Sequence, residues 1–349
     1  MPLSLKIITF LLSPFILVYT LIIFLRNRMY DWKVLKECAV QAPVISVGNL
    51  QIGGTGKTPM VEYLAEILRA AGREVVILSR GYRRLTRESI LVDSDNTTEL
   101  RPELIGDEPF QIKENVPGIK LAIDADRCKS AERALEKWPG SVLVLDDGFQ
   151  HRRIARDLDI VMIDVAYWSR CSLLYPITTF RDVKSSLRRA NILVLTRWES
   201  NPEIIESLKK YQTENGAPQI LKAAFVPAEL IPLNRTHSLS FSALENLNIA
   251  AFCGIANPER FISSLEKFRA NICFQKFFRD HHHYQTSHIE ELIKNAVTRK
   301  ADAFITTQKD AVKISPLLNP SEIPFYYLKI KMDIQHGDLL LEKIQETLH

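Results

Sequence analysis

The sequence lacks the features of disulfide-stapled, zinc-binding and nucleic-acid-binding proteins. Its 349 residues include five cysteines, an odd number, and no two of them form a C-x-x-C pair. Neither a zinc site nor a disulfide framework is indicated, and a reducing compartment fits. The formal charge of +4 is too small and too dispersed for a nucleic-acid groove, so we predict no nucleic-acid partner. No repeat or disordered tail is evident.

Charge is also missing from one long stretch near the N-terminus. Residues 7–25 (IITFLLSPFILVYTLIIFL) are uncharged, with Lys6 before them and Arg26 and Arg28 after them. The length approaches that of a bilayer span, and no small-residue cleavage site follows. Because Pro14 kinks or ends a helix, two alternatives stay open: a single span, or a kinked helix lying in one leaflet. Residues 1–28 are therefore predicted to form a membrane-associated helix. The membrane bilayer is thus a predicted binding partner of the protein.

A glycine-rich loop follows a β-branched run at residues 44–58 (VISVGNLQIGGTGKT). The run is typical of a buried parallel strand, and the loop leads into a predicted helix. Glycines let successive N–H groups hold phosphate oxygens, Lys57 adds a mobile positive charge, and the Thr58 hydroxyl suits Mg²⁺. Gln51 stands where the motif G-x-x-x-x-G-K-[ST] has its first glycine, which indicates a divergent branch of the P-loop class. The predicted ATP-binding residues are Gln51, Ile52, Gly53, Gly54, Thr55, Gly56, Lys57 and Thr58.

A second strong signal is an apolar run that ends in two aspartates. Residues 141–145 (SVLVL) precede Asp146 and Asp147. Four apolar residues before an aspartate are typical of a Walker B strand, whose carboxylate holds Mg²⁺ directly or through water. Mg²⁺ is therefore the predicted cofactor, with Thr58, Asp146 and Asp147 as its predicted ligands. Which of the two aspartates contacts the metal is left open.

Two adjacent acids open a further predicted helix at Gly106-Asp107-Glu108-Pro109. Helix capping alone accounts for Glu108 and Pro109, because acids favour a first helical turn and proline is tolerated there. Capping does not exclude catalysis by Asp107. Both interpretations stay open at this position.

Predicted strands and helices alternate from residue 44 to about residue 226. This pattern favours an α/β fold with a parallel sheet covered by helices on both faces, as in P-loop NTPases. Residues 227–240 are rich in Pro, Asn, Ser and Thr, and a second alternating stretch follows them. We predict an N-terminal helix (1–28), a P-loop core domain (29–230) and a smaller C-terminal α/β domain (231–349). The site is expected in the cleft between the two α/β domains.

The assembled motifs resemble those of the tetraacyldisaccharide 4′-kinase family, the lipid A 4′-kinases of bacterial envelope synthesis. After an apolar N-terminal helix, the matching blocks read VGNLQIGGTGKTP, SRGYRR, GDEP, DADR, LVLDDGFQHRR, LTR, GIANPERF, FRDHHHY and TTQKDAVK. The resemblance implies phosphoryl transfer from ATP to the 4′-hydroxyl of a tetraacylated disaccharide 1-phosphate, with Mg²⁺ as cofactor. It also implies action at the cytoplasmic face of the bacterial inner membrane, on an acylated lipid partner.

The same resemblance implies roles for particular side chains. Asp107 resembles the catalytic base, supported by His281, and Lys57 resembles a phosphate ligand. Further residues expected at or near the substrate are Tyr82, Glu108, Arg127, His151 and Arg181. A carboxylate suits this chemistry because it accepts the hydroxyl proton as the phosphoryl group leaves ATP. Asp107 and His281 are expected to pair only when the domains close.

One departure from the family pattern is Asp182, which follows Arg181 where glutamate is usual. His282 and His283 are interpreted as plain polar residues, because adjacent side chains diverge and no second ligand cluster supports a metal site.

Two rival functions stay open. One is a membrane-bound NTPase switch, for which Gln308-Lys309-Asp310 is the nearest approach to a guanine-recognition motif. The other rival is a non-enzymatic scaffold that retains the P-loop for structure only.

Overall fold

Strands and helices alternate along nearly the whole chain. The structure is a computed structural model that describes residues 3–82, 84–93, 100–211, 218–233, 239–255, 257–280, 282–319 and 323–348. Its strands are β1 Val44–Asn49, β2 Val75–Ser79, β3 Ile90–Val92, β4 Lys120–Ile123, β5 Val142–Asp146, β6 Leu158–Asp164, β7 Ile192–Thr196, β8 Gln219–Pro232, β9 Asn248–Cys253, β10 Asn271–Phe277, β11 Ala303–Thr307 and β12 Phe325–Gln335. Its α-helices are α1 Leu3–Asp31, α2 Lys57–Ala70, α3 Pro102–Ile105, α4 Asp107–Asn115, α5 Arg127–Lys137, α6 Glu203–Lys209, α7 Pro258–Glu266, α8 Thr286–Thr298, α9 Gln308–Ile314 and α10 Gly337–Leu348. Short 3₁₀ helices cover Val165–Tyr167, Lys184–Arg189, Trp198–Ser200, Phe241–Asn246 and Ser315–Leu317.

The strands form one 12-stranded sheet, in the order β10-β9-β11-β12-β8-β7-β6-β1-β5-β2-β4-β3. Neighbouring strands are parallel except at two places, where β3 is antiparallel to β4 and β8 is antiparallel to β12. The expected parallel sheet is therefore corrected to a mixed α/β sheet. The sequence does not show this, because a buried apolar run looks the same in either direction and strand direction depends on the route of the connections.

The central strands are buried on both faces, which explains their continuous apolar sequences. Every residue of β1, β5, β6 and β7 is buried. Along β2, Val75 and Ile77 join the apolar core that includes α2, while Val76 and Leu78 join the core that includes α5. Helices therefore cover both faces. The carboxyl ends of the parallel strands β2, β5, β1 and β6 meet at one edge of the sheet, where ligands bind in such folds.

The expected domain boundary near residue 230 falls inside β8. Residues 227–232, which look like a linker in the sequence, belong to this strand. Because β8 pairs with β7 on one side and with β12 on the other, the sheet continues across the boundary. The second half nevertheless has apolar cores of its own, around Phe252 and around Leu265. The division into domains stays a prediction.

Helix α1 continues through Pro14, and its C-terminal part is attached to the rest of the protein. The buried Asn27 donates through Nδ2 to Asp182 Oδ1 at 2.9 Å and to Ser186 Oγ at 3.1 Å. Its carbonyl accepts from Arg152 Nη1 at 2.8 Å. Asp182, the departure from the family pattern, is thus a buried structural residue. Several apolar side chains of α1 are exposed, namely Phe15, Leu17, Val18, Leu21, Ile22 and Leu25.

The described residues contain no helix that is both long and apolar enough to cross a membrane. The membrane association of α1 stays a prediction.

A disulfide joins Cys38 to Cys128, which corrects the expectation drawn from the cysteine pattern. The two residues are 90 positions apart, and no spacing rule relates cysteines at such a distance. Cys38 N–H donates to the Arg153 carbonyl at 2.6 Å, and the Ala155 N–H donates to the Cys38 carbonyl at 2.9 Å. Cys128 lies in the first turn of α5. The bond therefore links the segment before β1 to the helix that begins with Arg127.

Candidate active site

The glycine-rich loop lies between β1 and α2, where the sequence predicts it. Gly56 has a φ of 97°, and a Cβ at this position would lie 2.2 Å from the Phe225 ring. Only glycine fits there without a shift of its neighbours. Asn49 Nδ2 donates to the Thr55 hydroxyl at 2.7 Å, which fixes the loop from within. Thr58 is buried in the first turn of α2, whose unpaired N–H groups and dipole favour a bound anion.

Gln51 and Ile52 lie in the same loop but differ in their contacts. The Gln51 side chain is buried and bonds to the backbone of Asp164 at the end of β6. The Ile52 N–H donates to the Thr179 carbonyl at 2.7 Å, and the Ile52 side chain is exposed. All eight predicted loop residues are therefore brought together, with the Gln51 side chain used to hold the loop against the sheet.

Asp146 ends β5, directly beside β1 in the sheet, and is buried. Ser79 Oγ donates to its Oδ2 at 3.2 Å, whereas Oδ1 has no hydrogen-bond partner among the described residues. Burial, followed by the nearby carboxylates of Glu108 and Asp147, raises the pKa of Asp146 to about 7. A buried carboxylate oxygen without a donor is an atom that a hard cation would satisfy.

Asp147 is held by two cations. Arg181 donates to both of its carboxylate oxygens, from Nη1 to Oδ2 at 2.9 Å and from Nη2 to Oδ1. Lys57 Nζ lies 3.6 Å from Oδ1. Burial opposes ionisation of Asp147, but the hydrogen bond from Arg181 and the charge of Lys57 outweigh it and hold the pKa well below its usual range. Asp147 thus brings two predicted site residues, Lys57 and Arg181, to one point.

Arg127 and His151 lie close to the same two aspartates. The buried Arg127 donates from Nη1 to the Asp124 carbonyl at 3.1 Å and from Nη2 to the Asp146 carbonyl at 3.5 Å. Burial, followed by the charge of Arg127, lowers the pKa of His151 to about 4. His151 Nε2 has no hydrogen-bond partner in the described part of the chain. The imidazole is therefore neutral at neutral pH, when it offers one N–H donor and one lone pair.

Asp107 and Glu108 form the first turn of α4, as the sequence predicts. The helix is reached through Gly106, which has a φ of 98°, and a Cβ on Gly106 would lie 3.1 Å from the Gly81 Cα atom. This close approach places the start of α4 beside the segment that follows β2. Tyr82 lies on that segment and is 60% exposed.

The expected pairing of Asp107 with His281 cannot be followed, because His281 lies outside the described residues. The structure places Lys313 of α9 beside Asp107, with Nζ 3.0 Å from Oδ2. Lys309 of the same helix has its Nζ 3.9 Å from Glu108 Oε1. Neither lysine is among the site residues predicted above, and the signal that points to them is their block, TTQKDAVK.

Asp310, in the same block, is fully buried and serves the fold. It accepts hydrogen bonds from the Gly254 N–H at 3.0 Å, the Tyr284 hydroxyl at 2.9 Å and the Thr307 hydroxyl at 2.6 Å. A carboxylate enclosed in this way does not read a guanine base. The resemblance of Gln308-Lys309-Asp310 to a guanine-reading motif is therefore superficial.

The fold and the loop define a nucleotide-binding protein of the mixed α/β class. The structure is similar to the crystal structure of LpxK from Aquifex aeolicus in complex with ATP, with a TM-score of 0.77, 29% sequence identity, and coverage of 97% of this chain and 98% of that chain. A family model described as tetraacyldisaccharide-1-P 4′-kinase matches residues 8–349. The chain belongs to the tetraacyldisaccharide-1-P 4′-kinase family.

Curated relatives agree with this assignment. A tetraacyldisaccharide 4′-kinase of Syntrophus aciditrophicus is 35% identical over 335 residues, covering 93% of this chain and 89% of that protein. A tetraacyldisaccharide 4′-kinase of Pelodictyon phaeoclathratiforme is 34% identical over 349 residues, covering 97% of each. The similarity spans both halves of the chain, so it does not favour an NTPase switch or a scaffold.

Proposed function

We propose that this protein transfers the γ-phosphate of ATP to the 4′-hydroxyl of tetraacyldisaccharide 1-phosphate, which gives lipid IVA in lipid A biosynthesis. One observation carries the proposal: the loop, the end of β5 and the start of α4 lie within electrostatic reach of one another. Glu108 contributes to the raised pKa of Asp146, and Lys57 lies close to Asp147. A phosphate site with an acidic group beside it is what transfer to a hydroxyl needs. The activity named for the curated relatives supports the choice of acceptor.

We assign the proton transfer to Asp107. As the 4′-hydroxyl oxygen bonds to the γ-phosphorus, the bond from that phosphorus to the β,γ-bridging oxygen breaks and ADP leaves. The hydroxyl proton passes to the Asp107 carboxylate, because a sugar hydroxyl is a poor nucleophile until a base accepts its proton. Lys57 and the N–H groups of the loop hold the β- and γ-phosphates. His281 is proposed to support Asp107.

Mg²⁺ is the proposed cofactor. Within the described ranges, no three His, Cys, Asp or Glu side chains converge in a way that could hold a metal ion. A kinase does not need such a cluster, since phosphate oxygens, one hydroxyl and one carboxylate share the ion. Thr58 and Asp146 fit this donor set, because Asp146 Oδ1 is buried without a protein donor. When bound, Mg²⁺ would neutralise charge on the phosphates; Asp147 is the weaker candidate ligand, since Arg181 holds both of its oxygens.

The remaining predicted residues are proposed to contact or frame the substrates. Arg127 and Arg181 place positive charge around Asp146 and Asp147, which suits a polyphosphate. The exposed Tyr82 and the neutral His151 are proposed to face the disaccharide. Glu108 is adjacent to the proposed base in the sequence, and its carboxylate adds negative charge near Asp146, a proposed metal ligand.

The acyl chains of the substrate explain why the enzyme would work at the cytoplasmic face of the inner membrane. Withdrawing an acyl chain from a bilayer costs ~0.8 kcal/mol per CH₂ group, so the enzyme goes to its substrate. Helix α1 presents exposed apolar side chains such as Phe15, Leu17 and Leu21. We propose that α1 lies in one leaflet, and that a P-loop NTPase-like domain (29–230) closes against the C-terminal domain around the site.

Transfer of ³²P from γ-labelled ATP to tetraacyldisaccharide 1-phosphate in detergent micelles tests the proposal. Wild type is compared with Asp107→Asn and with Glu103→Gln, a matched change of an exposed acid in α3. We expect labelled bisphosphorylated lipid from wild type and from Glu103→Gln, and a rate about 10²- to 10⁴-fold lower from Asp107→Asn. Phosphate released to water without labelled lipid would instead support the NTPase switch. Full transfer by Asp107→Asn would remove Asp107 as the base.

A further inference from the structure

Helix α9 of the C-terminal half packs against α4, the helix that begins with Asp107. The contacts are an ion pair of Lys313 with Asp107 at 3.0 Å, an ion pair of Lys309 with Glu108 at 3.9 Å, and two hydrogen bonds between Gln308 and Asn115. These contacts follow α4 from its first residue to its last. Helix α9 therefore helps to fix the start of α4, where no side chain caps the helix among the described residues.

Helix α9 is itself fixed on its other side. Asp310, in the first turn of α9, has no exposed surface. It accepts hydrogen bonds from the N–H of Gly254, the residue after β9, and from the hydroxyls of Tyr284 and Thr307. A buried carboxylate with several donors holds its helix firmly, because losing any donor leaves a buried charge less well satisfied. Lys313 thus reaches Asp107 from a helix whose position is fixed by the hydrogen bonds of Asp310.

The other end of α4 is tied to the helix that follows the phosphate-binding loop. Asn115 Nδ2 donates to Glu62 Oε1 of α2 at 2.8 Å, and Gln111 Nε2 donates to the same oxygen at 3.0 Å. Helices α9, α4 and α2 are therefore joined by side-chain contacts. Asp107 lies at the end of α4 where Lys313 of α9 pairs with its carboxylate.

The pair of Lys313 and Asp107 differs from an ordinary surface ion pair. The Lys313 side chain is only 13% exposed, and that of Asp107 is 32% exposed. In the pair of Lys343 and Glu346, also within contact at 2.6 Å, the side chains are 42% and 60% exposed, so solvent screens the interaction and the pair fixes little. A less hydrated ammonium holds its partner more strongly, because the interaction is less screened. Lys313 is thus placed to orient Asp107 rather than merely to neutralise it.

We propose that Lys313 is a positioning residue for phosphoryl transfer: it orients the Asp107 carboxylate toward the acceptor hydroxyl. The proposal rests on the proposed function, in which Asp107 accepts the hydroxyl proton. A base held in the productive geometry accepts a proton faster, since orientation lowers the barrier without strengthening the binding of either substrate. Loss of Lys313 is therefore expected to lower kcat and to leave the KM for ATP and for the lipid within about twofold.

The experiment measures kcat and both KM values for wild type, Lys313→Met, Lys313→Arg, Asp107→Asn and the double variant Asp107→Asn/Lys313→Met. Lys343→Met is the matched control, because it removes a lysine from an ion pair that is more exposed than that of Lys313. We expect Lys313→Met to lower kcat about 10- to 100-fold, and Lys313→Arg to recover most of the loss. Lys343→Met is expected to match wild type. In the Asp107→Asn background, Lys313→Met is expected to cause no further loss, because its effect acts through Asp107.

Several results would overturn the proposal. If Lys313→Met keeps the wild-type kcat while Asp107→Asn is inactive, Lys313 has no positioning role, and the assignment of Asp107 as the base is unaffected. A raised KM for ATP with kcat preserved would make Lys313 a phosphate ligand instead. Equal losses from Lys313→Met with and without Asp107 would also contradict the proposal. Full activity of Asp107→Asn would instead overturn the proposed base. Thermal unfolding of each variant is recorded, and Lys313→Gln carries the same test if Lys313→Met unfolds at the assay temperature.

Discussion

The Gln51 side-chain amide pairs with both backbone polar groups of Asp164. Its Nε2 donates to the Asp164 carbonyl at 2.9 Å, and its Oε1 accepts from the Asp164 N–H at 2.8 Å. The last paired residues of β1 and β6 are Asn49 and Met162, so the amide extends the contact between these strands beyond their ladder. The residue that departs from the P-loop motif therefore ties the loop to the neighbouring strand.

Restoring the motif glycine at position 51 is expected to destabilise the protein. Gln51→Gly leaves the buried N–H and carbonyl of Asp164 without these partners, at about 1–3 kcal/mol for each group. We expect the free energy of unfolding to fall by about 2–6 kcal/mol, measured by urea denaturation. Gln51→Glu brings a buried carboxylate against the Asp164 carbonyl, so its loss is expected to be at least as large. A Gln51→Gly variant as stable as wild type would contradict this role of the amide.

The parts of the site that depend on short sequence motifs were predicted from the sequence. The strand, loop and helix at residues 44–58, Asp146 at the end of β5 and the acidic turn at Asp107 lie where the sequence places them. Apolar runs, loop glycines and helix-start residues act locally, so they can be recognised without knowing the fold. The proposed roles of these residues stay predictions, as does the role of His281.

Contacts between distant segments were not predictable in the same way. Lys313 reaches Asp107, and Gln51 reaches Asp164, only because the strands take the order that they have in the sheet. The full length of strand β8 was not predicted from the sequence for a different reason. Its C-terminal end contains Pro227 and Pro232, which suggest a linker, and it is strand because β12 runs antiparallel beside it.

Stability is expected to depend on pH through Glu62. Burial raises the pKa of Glu62 from 4.5 to about 7, against the hydrogen bonds that it accepts from Asn115 and Gln111. Between pH 4.5 and 7 the folded state holds a proton that the unfolded state has lost. The Glu62 contribution to stability therefore falls as the pH rises through this window, and it is constant above the window.

Glu62→Gln removes this titration. We expect the variant to be more stable than wild type by on the order of 3 kcal/mol at pH 8, with the difference shrinking toward zero below pH 4.5. Urea denaturation at the two pH values measures the difference. Glu132→Gln, an exposed acid on α5, is the control and is expected to change stability by less than about 0.5 kcal/mol. A Glu62→Gln variant that is less stable at pH 8 would show that the carboxylate itself is needed.

The bond between Cys38 and Cys128 is expected to stabilise the folded chain. It closes a loop of 90 positions, and constraining such a loop in the unfolded state is worth roughly 4 kcal/mol. We expect a reducing agent to lower the free energy of unfolding of wild type by about 2–4 kcal/mol and to leave Cys38→Ser unchanged. Thiol titration of the denatured, unreduced protein is expected to find the three free cysteines Cys171, Cys253 and Cys273. Five titratable thiols before reduction would contradict the bond.

Asn27 is expected to hold the end of α1 against the rest of the protein. Its side chain donates to Asp182 and Ser186, so Asn27→Leu leaves the buried Asp182 carboxylate with fewer donors. We expect a loss of about 1–3 kcal/mol in the free energy of unfolding and faster tryptic cleavage after the exposed Lys33 and Lys36, because the segment that follows α1 loosens. Thr20→Val is the matched control, since the Thr20 hydroxyl bonds only to the Ile16 carbonyl within α1 among the contacts described. Cleavage of Asn27→Leu at the wild-type rate would mean that the other attachments of α1 suffice, and that Asn27 contributes to stability without controlling how the helix is held.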